Sequence, residues 1–241
     1  MNGTGTRATR ILGSVALLLL GLLVLYGLVL SPPEPPPPEG QGDAMRLIYI
    51  HVPSAMTMYV PFVLTFVGSL LWLLRRSVWW DTLAGASAEV GVLLTAICLV
   101  TGAIWGRPTW GTYWDWDPRL TSTAMMFLMY LGYLAVRRIP ADPAVRNRRA
   151  AVVGLAAFVN VPIVHFAVDW WRSLHQDATI GSIDVKIDGL QLFTLMLGFV
   201  TFGVSVAWLL IHRFRLGWLE DRAEEYLLEV AIAERQREEA R

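Results

Sequence analysis

WGRPTWGTYWDWDPRLTS, residues 105–122, decides how the rest of the chain is read. Trp105, Trp110, Trp114 and Trp116 are interleaved with glycine, proline, Asp115, Asp117, Arg107 and Arg119. The stretch is too polar and too broken to lie in hydrocarbon, and too aromatic for an ordinary solvated loop. Apolar runs flank it on both sides, which places it at a membrane surface. A ledge of indole rings at that depth suits a flat, apolar ligand with a charged edge.

Working outward, the composition agrees with a membrane setting. Of 241 residues, 55% are hydrophobic and 17% charged, and the mean hydropathy is +0.48, the balance of a polytopic membrane protein. A net charge of zero provides no basic field for nucleic acid. Cys98 is the one cysteine, so an internal disulfide and a CxxCH attachment site are both excluded. HExxH, GxSxG and Walker A motifs are absent.

Six apolar segments predict an all-α polytopic membrane protein, a six-transmembrane-helix bundle with a periplasmic tryptophan-rich loop. The predicted spans are 11–30, 53–74, 84–105, 119–136, 150–170 and 189–211. Residues 31–43 (SPPEPPPPEGQGD) read as an extended, proline-rich periplasmic spacer with no binding role. Asp117-Pro118 is an N-cap followed by an N1 proline, the start of the fourth helix. The tail, 212–241, is spaced for a cytoplasmic amphipathic helix. Fifteen of the twenty basic residues fall in the N-terminus, the 75–83 and 137–149 loops and the tail. The positive-inside rule therefore puts both termini in the cytoplasm and the tryptophan loop outside, together with His51 and His175.

Neutral imidazoles from two segments can bind iron on both faces of a porphyrin. Indoles stack on such a plate, and arginine pairs with its carboxylates. The outer loops hold both groups, with Trp170, Trp171 and Arg172 adding to the central stretch. Blander readings stand beside this one. His51 or His175 alone fits a structural interface histidine, and Asp117 alone fits a helix cap. His165 fits a helix–helix hydrogen bond, and Asp115 a solvated loop charge. Trp72, Trp79, Trp80, Trp208 and Trp218 on the inner side fit an aromatic belt. Glu89 is either a functional intramembrane carboxylate or a snorkelling one.

The central stretch resembles the tryptophan-rich WWD signature of the heme-handling membrane proteins of cytochrome c biogenesis. Within that superfamily it is most similar to the heme exporter protein C family of the System I pathway. RLIYIHVPSA around His51 and NVPIVHFAVDWWRSLHQ ending past His175 agree with it. The resemblance implies a non-enzymatic, multi-pass protein of the cell inner membrane that binds heme b transiently. It implies His51 and His175 as axial metal ligands. The implied cofactor-binding residues are Trp105, Trp110, Tyr113, Trp114, Trp116, Asp117, Arg119, Trp170, Trp171 and Arg172. The implied partners are the ATPase and membrane subunits of an ABC transporter, a small single-span membrane protein, a periplasmic heme chaperone and membrane lipid. Departures from the signature are Tyr113 in place of a tryptophan, Asp115 at a usually apolar position, and Pro118 where a small residue is common. Tyr113 still offers a ring for stacking, whereas Asp115 adds negative charge beside a dianionic ligand.

Overall fold

The computed structural model describes residues 5–36, 39–175, 187 and 189–239. The spacer prolines 37–38 and most of the polar loop expected over 171–188 lie outside the described residues. Among the described residues the elements are all helical: α1 (Arg7–Leu25), α2 (Ile48–Thr57), α3 (Tyr59–Arg75), α4 (Val78–Trp110), α5 (Pro118–Arg137), α6 (Pro143–Phe158), α7 (Asn160–Trp170) and α8 (Gly189–Glu239). A π-helical turn, Tyr26–Leu30, continues α1, and a 3-10 turn, Gly42–Leu47, leads into α2. Six helices, two of them built from paired segments, are long and apolar enough to cross a membrane.

Two of these helices are broken, each for the same reason. The α2–α3 break falls at Met58 and the α6–α7 break at Val159. Each lies three residues before a proline, Pro61 and Pro162. Proline has no N–H for the carbonyl four residues back, so Thr57 and Phe158 lose their intrahelical partners. The residue that opens α7 ties the second break to a neighbouring helix. Asn160 Nδ2 donates to the Ser122 carbonyl of α5 at 2.8 Å, the kind of polar bond that joins helices in an apolar medium.

Helix limits differ from expectation in three functional places. The second helix begins at Ile48 rather than residue 53, so His51 is helical. The third runs on past Trp105 to Trp110, where Gly111 adopts the left-handed conformation (φ +80°) and ends it. The tryptophan loop proper is thereby reduced to 111–117. The sixth continues without interruption into the tail as one 51-residue helix, roughly 75 Å long.

The core forms where α3, α4, α5 and α6 meet. Phe62 stacks on Tyr130 with centroids 3.9 Å apart, and α4 is buried all round over Ala84, Gly85, Ala86, Ser87 and Ala88. Small residues let backbones approach closely, which drives helix association when lipid competes for every apolar side chain. Trp72, expected in the interfacial belt, is only 3% exposed and lies inside the bundle beneath the Arg76 guanidinium. Trp79 is exposed, as a belt residue would be. At this basic end Arg137 makes a bidentate ion pair with the buried Asp81, with both N···O distances 2.7 Å. Glu89 pairs with Arg213 of α8.

Candidate functional site

At the opposite end of the bundle α4 carries two tryptophans, each set against one histidine. Trp105 stands edge-on to His51 with centroids 5.6 Å apart, and Trp110 edge-on to His175 at 4.8 Å. Helix α2 presents His51 to α4 across a gap left by Gly102. A Cβ on Gly102 would lie 2.9 Å from His51 Cε1, closer than an unstrained contact permits. Gly102→Val is therefore expected to displace the imidazole while leaving the residue in place. Any bound chromophore's absorbance should change, with little loss of α-helical circular dichroism.

The hydrogen bonds of His51 assign its tautomer. Its Nδ1 lies 3.1 Å from both the Cys98 carbonyl and Thr101 Oγ1. The Thr101 hydroxyl donates its single proton to the Ile97 carbonyl at 2.7 Å, so toward His51 it is an acceptor. Nδ1 then bears the proton, and Nε2 keeps its lone pair. This is the arrangement of a metal-ready imidazole, its far nitrogen held by a backbone carbonyl.

His175 is positioned by Asp117. The Asp117 carboxylate is buried, and it caps α5 through Oδ2, accepting from the N–H groups of Arg119 (2.9 Å) and Leu120 (3.3 Å). Oδ1 accepts the Leu174 N–H at 2.7 Å. One side chain thus starts a helix and ties down the segment that bears the histidine. His175 Nδ1 faces Asp117 Oδ2 at 3.6 Å, within ion-pair range but beyond a hydrogen bond, and has no hydrogen-bond partner among the described residues. Burial works to raise the pKa of Asp117, but hydrogen bonds from Ser173 and from the amides of Leu174, Leu120 and Arg119 bring it below the usual value. Asp117 therefore serves the site through its neighbours, and its oxygens are turned inward.

Burial, with Arg119 and His51 nearby, lowers the His175 pKa to about 4 against the opposing pull of Asp117. The imidazole is uncharged at neutral pH. A folded-state pKa below the ordinary 6.5 means that this contribution to stability is whole above pH 6.5 and is lost as pH falls through about 4. Thermal midpoints of the heme-free protein should decline over that window, and His175→Gln should flatten the decline.

The remaining expected residues fall into two groups. Tyr113, Trp114, Trp116, Trp170 and Trp171 are exposed, Trp116 most of all at 80%. Trp114 with Trp116, and Trp170 with Trp171, form edge-to-face pairs at 5.8 and 5.7 Å. An exposed apolar surface of this kind marks a place where something flat or a partner docks. Arg119 is half-buried, donates to the His165 carbonyl at 3.3 Å and lies near His175, whereas Arg172 and Asp115 are exposed. Arg107 spans the turn, donating to the Gly111 carbonyl and lying over the Tyr113 ring. His165 faces Tyr59 edge-on at 5.6 Å, a ring contact in place of the expected interhelical hydrogen bond.

The donor set suits an iron porphyrin. It comprises two neutral imidazoles, one with a free Nε2 assigned by its hydrogen bonds, beside exposed aromatic faces and a guanidinium. Sequence reasoning did not find Thr101, the Cys98 carbonyl or Gly102, because their roles arise only when α2 crosses α4.

The chain is similar in sequence to known proteins. The family model described as "Heme exporter protein C" matches residues 3–229. The heme exporter protein C of Bradyrhizobium diazoefficiens is 43% identical over 170 residues, covering 69% of this chain and 61% of that protein. That of Haemophilus influenzae is 35% identical over 217 residues, covering 87% of this chain and 84% of that one. That of Escherichia coli K12 is 37% identical over 172 residues, covering 70% and 66%. The family match takes in the helix of His51, the tryptophan stretch and the segment of His175, and the chain belongs to the heme exporter protein C family.

Proposed function

We propose that this protein binds heme b at the outer face of the inner membrane and presents it to a periplasmic heme chaperone for c-type cytochrome biogenesis. In this reading it works beside the ATPase and membrane subunits of an ABC transporter and a small single-span protein. It is a platform and not a catalyst. The names of its relatives support heme delivery. The observation that carries the reading is the pair of tryptophan-backed histidines at one end of the bundle. The excess of basic residues at the other end supports cytoplasmic termini and a periplasmic site.

Heme supplies an iron with two axial positions and a conjugated apolar plate. His51 and His175 hold the iron. Trp114, Trp116, Trp170, Trp171 and Tyr113 offer stacking faces, and Arg119 and Arg172 offer charge to the propionates. Trp105 and Trp110 brace the imidazoles, and Asp117 holds the His175 segment. The two ligands are held differently. His51 is wedged in a helix, whereas His175 follows α7 on a segment tied chiefly through Asp117. With heme bound, His175 would be the ligand more readily exchanged for one from a partner, as transient binding requires.

A labelled-heme assay separates platform from permease. In proteoliposomes containing this protein alone, heme flux should equal that of empty vesicles, while added chaperone should draw heme from the protein. Flux driven by this chain alone would instead favour a permease.

A further inference from the structure

The connector between α1 and α2 does not stand apart from the site. Gln41 Oε1 accepts a hydrogen bond from Trp105 Nε1 at 2.6 Å. Gln41 is itself held in place. Its N–H donates to the Glu34 carboxylate at 2.9 Å, and the next amide, of Gly42, donates to the Pro35 carbonyl at 3.0 Å. Glu34 and Pro35 are thereby brought against Gln41 and Gly42. Arg46 closes the other end of the connector, donating to the Gly27 carbonyl at 2.8 Å. A half-buried indole N–H needs an acceptor, and here it comes from a segment distant in sequence. Trp105 in turn meets the edge of His51.

We propose that the α1–α2 connector is a strap that sets the geometry of the heme site, with Gln41 as a positioning residue fixing Trp105 and, through it, the His51 ring. This rests on His51 being a heme ligand. His51 is anchored by its backbone and at Nδ1, and within those limits the tilt of its ring is set by the side chain packed on it, an outer-shell contact. Trp105 is that side chain, and Gln41 holds its indole. Prolines suit the strap because they have little conformational freedom to lose.

Two variants of the full chain test this. Gln41→Leu removes the acceptor, and Gln41→Glu keeps an acceptor oxygen. In protein purified from heme-replete cells, Gln41→Leu should shift the low-spin ferric electron paramagnetic resonance signal and lower heme retention several-fold, and Gln41→Glu should restore both. In heme-free protein, diethyl pyrocarbonate should modify His51 several-fold faster in Gln41→Leu than in wild type, at similar thermal midpoints. Wild-type resonance signal and wild-type His51 reactivity in Gln41→Leu overturn the strap and leave the ligand assignment standing. That assignment falls separately if His51→Ala keeps the wild-type spectrum. Altered His51 reactivity without any heme effect limits the strap to the apoprotein and overturns its role in heme geometry.

Discussion

Replacing Asp117 with alanine should both destabilise the protein and release His175 from any bound heme. The substitution removes the α5 cap, orphans the Leu174 N–H and deletes the negative group opposite His175 Nδ1. A lost cap costs about 1 kcal/mol, and a lost hydrogen bond to a charged acceptor about 1.5–3 kcal/mol. The sum should appear as a clear fall in the thermal midpoint in detergent. The spectrum of the heme-loaded variant should lose six-coordinate character, because the segment bearing His175 is no longer tied. Asp117→Asn separates the two roles. Asparagine's one carbonyl oxygen keeps the α5 cap, but its NH2 group cannot accept the Leu174 N–H, so stability should fall by less than in Asp117→Ala. The charge opposite His175 is lost, so coordination should still change. A six-coordinate, wild-type spectrum in Asp117→Ala would show that the carboxylate does not position His175.

The second large effect lies at the other end of the bundle. Asp81→Leu leaves the Arg137 guanidinium in the bundle without its bidentate partner, whose side chain is 5% exposed. Breaking one half of a buried pair costs about 3–5 kcal/mol, whereas replacing both halves with apolar residues is often close to neutral. Asp81→Leu should therefore lower the thermal midpoint sharply, and Asp81→Leu/Arg137→Met should recover most of it. Neither change touches the tryptophan end, so heme retained per folded molecule should stay at the wild-type level. Additive losses in the double variant would show that the pair is not coupled.

Much of the architecture could be read from the sequence because it depends on long apolar runs and on charge. The six spans, the Asp117-Pro118 helix start and the placement of Trp105, Trp110 and His51 near one end needed nothing more. The details that shape the site depend on crossings between helices. Pro61 and Pro162 are visible, but the breaks they cause lie three residues upstream and divide helices that hydropathy reads as continuous. Pro108 looks like a loop residue by sequence, yet it sits in the last turn of α4, where its missing N–H leaves the Ile104 carbonyl without the usual intrahelical partner. Arg137 falls in the basic 137–149 loop by sequence, and only the fold sets it against Asp81 of a different helix. Asp117 offered a cap by local pattern, but its bond to Leu174 spans 57 residues. Gln41 carries no motif at all, and only the folded connector brings it to Trp105.

The central claim is that His51 and His175 hold heme iron beside the tryptophan loop. It is tested most directly by the visible spectrum of protein purified from heme-replete cells, taken alongside His51→Ala, His175→Ala and the double variant. The expected result is a Soret band with low-spin, six-coordinate character in wild type, altered coordination in each single variant, and loss of the band in the double variant. No Soret absorbance in wild type, or an unchanged band in the double variant, would contradict it.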